Sequence, residues 1–264
     1  MNVKRIRVAG LAILLLIGLQ CLGLAAGSAW LQNPNMYRGY QYSSETKIPS
    51  VVADDWVYTG DPIIGIRWWG GYWSPVAPWH YGYYSDGRPS VATTVPCHWQ
   101  IAFYENIPAD GNDSYPQPGN QIARYTFEPE QVTETYYGIT QSGGKSVFSY
   151  YVGLPHPFGG PTPGDPVTPG TYWISVEANM VPIEPMIIVD PIYSTVQWGW
   201  QESPDLQLSA AVQDFKTSGW LQIQNDMHDN DMAFELITVP EPTGISAVMV
   251  GLGGIGTFFF RRRR

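Results

Sequence analysis

Lysine and arginine are scarce in this chain: 14 in 264 residues, against 23 aspartates and glutamates. Even these few are unevenly placed. Lys4, Arg5 and Arg7 stand near the N-terminus and Arg261, Arg262, Arg263 and Arg264 end the chain, so seven basic residues remain between them. Facing 22 acidic residues, they leave the body with a charge of about −15. That excess repels polyanions, which excludes nucleic acid as a partner and leaves calcium or a neutral glycan as compatible ones. Cysteine is nearly absent too. Cys21 lies in an apolar N-terminal run, and once that run is removed Cys97 stands alone, without an internal disulfide. Set as "CHW" in a strand-like stretch, Cys97 reads as a small buried residue rather than a nucleophile.

Catalytic signatures are missing as well. The sequence contains no G-x-S-x-G, P-loop, H-E-x-x-H or Cys-x-x-Cys pattern. The histidines, His80, His98, His156 and His228, share no ligand spacing, so zinc has no candidate set. Sustained helical periodicity is lacking: "DLQLSAAVQDF" (Asp205 to Phe215) is the one fair helix candidate, and a short one.

What is present is strand signal and punctuation. "IIGIRWW" is apolar and β-branched between "GDP" and "GG", and its Trp68 and Trp69 are divided between two faces. "HWQIAFY" places Trp99, Ile101 and Phe103 on one face and Gln100, Ala102 and Tyr104 on the other; "TYWISVEA" does the same with Tyr172, Ile174, Val176 and Ala178. "VFSYYVG", "MIIV", "VQWGW", "WLQIQ" and "MAFELITV" read as further strands. With 28 glycines, 23 prolines and no βαβ rhythm, the expected fold is all-β: an antiparallel β-sandwich, jelly-roll-like in its strand count, with most of the 11 tryptophans in the core. "LPHPFGGPTPGDPVTPG" (Leu154 to Gly170) is expected as an exposed loop, because its prolines cannot donate to a ladder.

The ends differ from the body. Residues 1–29 combine a basic start, an apolar run from Val8 to Leu24, and small residues Gly27 and Ala29 before an expected cut, which is the pattern of a secretory signal peptide. An extended lead-in is expected over 30–50 and the sandwich over 51–239. At the other end Pro240 and Pro242 stop the final strand and hold "VPEP" extended, where a protease can read it. Residues 243–260 are uncharged and, as a helix, span about 27 Å, enough for a bilayer core, with the arginines left cytoplasmic.

Two acidic turns offer hard oxygen donors for calcium: Asp110, Asn112 and Asp113 in "ADGNDS", and Asp226, Asp229 and Asp231 in "NDMHDND". Such turns also arise for backbone reasons alone. Between Arg67 and Gly87 aromatics crowd together; Trp79, Tyr81, Tyr83 and Tyr84 follow "SPVAP" and are expected on a loop, as rings that stack on sugars or that pack onto the sandwich.

The tail "VPEPTGISAVMVGLGGIGTFFFRRRR" closely resembles the PEP-CTERM sorting signal of Gram-negative bacteria, with Val239, Pro240, Glu241 and Pro242 on the motif and Arg261 to Arg264 closing it. The resemblance implies a substrate of exosortase, a membrane cysteine transpeptidase-like enzyme. It also implies export, transient anchoring in the inner membrane, and release to a cell surface or matrix rich in exopolysaccharide. "VVADDWVYTGDPIIGIRWWGGYW", "GTYWISVEA" and "DNDMAFELITVPEP" resemble an uncharacterised domain found upstream of such signals, which implies a β-sandwich and no defined activity. The expectation is a non-enzymatic surface protein without a resident cofactor. The alternatives are a glycan-binding module and a polysaccharide-active hydrolase, the latter needing two carboxylates in a cleft.

Overall fold

A computed structural model describes residues 27–46, 49–73, 94–110, 115–142, 144–159, 167–182, 197–216, 219–225 and 228–239. The chain divides into two units: Ser28–Thr238, and the termini 1–27 and 239–264, of which only Gly27 and Val239 are described. The first unit is all-β. Its strands, among the described residues, are β1 (Gly27–Gln32), β2 (Gln41–Ser43), β3 (Val51–Tyr58), β4 (Ile63–Trp73), β5 (Thr94–Ile107), β6 (Gln117–Phe127), β7 (Thr133–Ile139), β8 (Ser146–Phe158), β9 (Gly170–Pro182), β10 (Gln197–Ser203), β11 (Val212–Asp214), β12 (Trp220–Gln222), β13 (Gln224–Asn225), β14 (His228–Asp229), β15 (Asp231–Met232) and β16 (Phe234–Thr238).

They form a sandwich of two sheets. In sheet A the long β4 is the spine: β8 pairs along one side of it and carries β7 outside, while β16 and β10 share the other side end to end. β1 extends the sheet beyond β16, and β2 and β15 extend it beyond β10. Sheet B runs β12-β11-β3-β9-β5-β6, and β13 pairs with β14 separately.

Alternation decides which side chains enter the space between the sheets. Trp99, Ile101 and Phe103 of β5 and Ile174, Val176 and Ala178 of β9 are buried in one cluster, where they meet Trp68, Phe148, Tyr150 and Trp198 of sheet A. Trp68 stacks on Tyr150 at 5.5 Å, and Trp99 stands edge-on to Trp198 at 4.9 Å. Trp69, the next residue, turns to the other side of sheet A and packs with Val147, Ala233 and Met36. Among the described residues seven tryptophans are buried: Trp56, Trp68, Trp69, Trp99, Trp173, Trp198 and Trp200. Each represents several kcal/mol of burial on the scale of about 3–5 for truncating a core aromatic.

Two expectations are corrected. Asp205 to Phe215 is not a helix: it runs irregularly and ends in β11. Carboxylates from elsewhere in the chain claim backbone N–H groups of this segment. Asp231 Oδ2 accepts from Gln207 N at 2.8 Å, and Asp55 accepts from both the N–H and the hydroxyl of Ser209. Leu206 and Leu208 are left exposed, whereas Ala210, Ala211 and Val212 are buried. Likewise Leu154 to Phe158 is strand, not loop, because β8 continues through Pro155 and Pro157. The prolines fall where the β4 ladder is interrupted, between Gly65↔Gly153 and Ile63↔Phe158, so their missing donors cost no ladder bond there. Gly159 then turns with φ +73°, and a Cβ there would collide with the Tyr58 hydroxyl. The expected strand "MIIV" lies outside the described residues.

The segment expected as a lead-in holds the second half of β1 and all of β2, and its Ser44, Glu45 and Ser50 are buried. The expected cut after Ala29 falls inside β1.

Candidate functional site

Most residues singled out by chemistry lie outside the described residues: Trp79, Tyr81, Tyr83 and Tyr84 of the aromatic stretch, Asn112, Asp113 and Asp226 of the acidic turns, and Pro240 to Arg264 of the tail. Of the remainder, Asp110 is exposed, Asp229 lies in β14, and Val239 follows the last strand with 54% of its surface exposed. Asp231, expected as a calcium donor in an acidic turn, is instead buried in β15. It is 1% exposed and accepts hydrogen bonds from Gln32 Nε2 and Gln207 N, each at 2.8 Å. Among the described residues no group of His, Cys, Asp and Glu is arranged to hold a metal ion, and no helix is long and apolar enough to cross a membrane.

A carboxylate cluster that the sequence reading did not single out lies on β3. Asp54 points between the sheets and is fully buried; its Oδ2 accepts from Met232 N at 2.7 Å and its Oδ1 from Asp55 N at 2.9 Å. The bond to Met232 ties sheet B to β15 of sheet A. Burial pushes Asp54 well above the usual carboxylate range, the negative Asp231 and Asp55 push further, and the two backbone donors only partly offset them. Asp55, on the opposite side of the strand, is raised by burial to about 6 against the bonds from Ser209. Sealed from solvent, Asp54 and Asp231 cannot meet a polymer as a hydrolase pair must. Their geometry serves to join the sheets. Two acids in an otherwise apolar "VVADDWVY" were the available signal.

A second cluster sits at a β-bulge. The β5–β9 register slips between Pro96 and His98, leaving Cys97 without a Cα partner. The slip brings Cys97 Sγ to 3.2 Å from His98 Nδ1, although neighbours on a regular strand face opposite ways. Asn179 Nδ2 lies 3.1 Å from His98 Nε2, and Thr46 donates to Asn179 Oδ1 at 2.6 Å. Cys97 is therefore half-buried beside an imidazole rather than sunk in the core. Asn179, 81 residues from His98, is not recoverable from spacing.

Further along the same face of sheet B, Glu177 accepts from Lys216 Nζ at 2.6 Å and lies 3.9 Å from Arg124. Four residues earlier on β9, Trp173 is fully buried outside the main core, packed with Ala53 and Val212 under Tyr104, Tyr115 and Trp220.

A family model described as "Domain of unknown function (DUF7901)" matches residues 28–237, nearly the interval from β1 to β16. No curated protein and no solved structure matches the chain.

Proposed function

The chain belongs to the DUF7901 family, a domain family of unknown function, and from that premise we propose an exported protein that an exosortase processes at its C-terminus and delivers to an exopolysaccharide-rich surface. The observation that carries this reading is the order of features at the tail. β16 ends at Thr238, Val239 is exposed, and the sequence continues as "PEP", an uncharged stretch and four arginines. A motif that follows the last strand at once leaves the sheet intact when it is cut. The basic, then apolar, N-terminus supports export, and the acidic body suits a matrix of neutral sugars. In this role the sandwich is a stable, non-enzymatic unit that the tail delivers.

Intact mass and membrane retention of the wild type and Glu241→Ala, in cells with and without the exosortase, test the proposal. The wild type should lose its four arginines only where the enzyme is present, and Glu241→Ala should keep them and stay in the membrane. Retention of the arginines by the wild type in both backgrounds would overturn it.

A further inference from the structure

The outward face of sheet A carries exposed rings that neither the core nor the tail accounts for. Register places Tyr151 of β8 between Arg67 of β4 and Thr133 of β7, and Ser149 between Trp69 and Thr135. Since Trp69 faces away from the main core, all of these share the outer side. Tyr151 is 39% and Tyr137 49% exposed. Both rings are held from beneath. A Cβ at Gly65 would come within 3.2 Å of the Tyr151 ring, closer than ordinary packing, so the glycine gives the ring room to lie over β4, with the Arg67 guanidinium 5.8 Å from its centre. Tyr137 stands edge-on to Trp69 at 5.9 Å. Opposite Gly65, Gly153 is exposed and a Cβ there would meet nothing closer than 3.9 Å, which leaves a bare strip beside Tyr151.

We propose that this face is a binding platform for a neutral polysaccharide, with Tyr151 and Tyr137 as stacking rings. Sugar rings present apolar C–H faces to aromatic rings and hydroxyls to their surroundings, and both kinds of partner are here. Arg67 is ion-paired with Glu235, so the pair offers a donor and an acceptor with no net charge. Thr133 and Thr135 set hydroxyls between the two rings. Tyr137 lies four residues along β7 from the partner of Tyr151, about 13 Å at the strand rise, a span for several linked sugars rather than one. A body charge of about −15 disfavours acidic polymers. The ligand class rests on the surface reading proposed above; the platform itself rests on the geometry.

Affinity gel electrophoresis of the exported protein tests it, with dextran, a soluble β-glucan, a galactomannan, alginate and the exopolysaccharide of the producing cells in the gel. The wild type should be retarded by at least one neutral polymer. Tyr151→Ala, and independently Gly153→Gln, which fills the strip where the protein leaves room, should each weaken retardation about tenfold or more with an unchanged melting temperature. Should Tyr151→Ala lower the melting temperature, Gly153→Gln decides alone. Retardation by no polymer, by alginate only, or undiminished in Gly153→Gln overturns the platform, as does loss in Trp79→Ala without loss in Gly153→Gln. Tail mass, read on the same samples, is independent: a processed tail without retardation fails the platform alone, and retardation with an unprocessed tail fails the sorting reading alone.

Discussion

Sheets A and B both turn a buried tryptophan outward, and they treat it differently. On sheet B, Trp173 is completely covered by Tyr104, Tyr115 and Trp220, its indole donates to Asn106 at 2.8 Å, and Glu177 nearby is neutralised by Lys216 and Arg124. On sheet A, Trp69 is covered by Met36 and Tyr137, but the strip beside it is left to exposed tyrosines and threonines. One face is closed by the protein's own side chains, and the other leaves Tyr151 and Tyr137 exposed. A closed outer face contributes stability. An open face with rigid rings contributes little to stability, and its rings are free for something else.

The largest test of this contrast is truncation. Trp173→Ala should cost about 3–5 kcal/mol, as should Trp68→Ala between the sheets, whereas Tyr151→Ala should cost less than about 1. Urea unfolding midpoints read all three, and equal losses at Trp173 and Tyr151 would erase the distinction between the faces.

Acid groups give a second test. Asp55 lies beneath the Ser209 segment with its carboxyl raised from 3.8 to about 6. A raised carboxyl binds its proton more tightly in the folded state, so its contribution is fully present below about pH 4 and is lost as pH rises through about 6. Asp55→Asn keeps the neutral form at every pH. Its stability relative to the wild type should therefore climb between pH 4 and pH 7, by about 3 kcal/mol at most. A difference that is flat over that range contradicts the burial argument. Asp54→Asn should move in the same direction.

The smallest effect belongs to Glu177→Gln. Lys216 and Arg124 are both substantially exposed, so solvent screens the pairs and the loss should be about 1 kcal/mol or less. It should shrink further in 1 M salt; a salt-independent loss would mean that packing, not charge, closes this face.

The sandwich was legible wherever large apolar side chains alternate along a strand. "HWQIAFY" and "TYWISVEA" show the pattern plainly, and the opposite fates of Trp68 and Trp69 follow from the two-residue period. Long-range pairing is what the sequence could not display. Asp205 to Phe215 has local helical character, but its backbone donors are claimed by Asp55, 154 residues from Ser209, and by Asp231, 24 from Gln207. β6 and β7 are edge strands with little apolar contrast and gave no signal. The platform was hidden for the same reason: Tyr151, Tyr137 and Gly65 share a face only because β4, β8 and β7 pair in this register.

The position of β1 beside β16 also sets an order in time. The first and last strands of the body are neighbours in sheet A, and Gln32 at the end of β1 bonds Asp231, 199 residues away, just before β16. A chain that crosses a membrane from its N-terminus delivers β1 at once and β16 last. The place next to β1 then waits until roughly 200 further residues have followed, and closing so wide a loop is slow. Thr238, which completes that strand, is adjacent to Val239, which begins the motif. Under the sorting reading proposed above, completion of the sheet and emergence of the motif would be separated by a single peptide bond, and the processing enzyme would receive a domain that has only just gained its final strand.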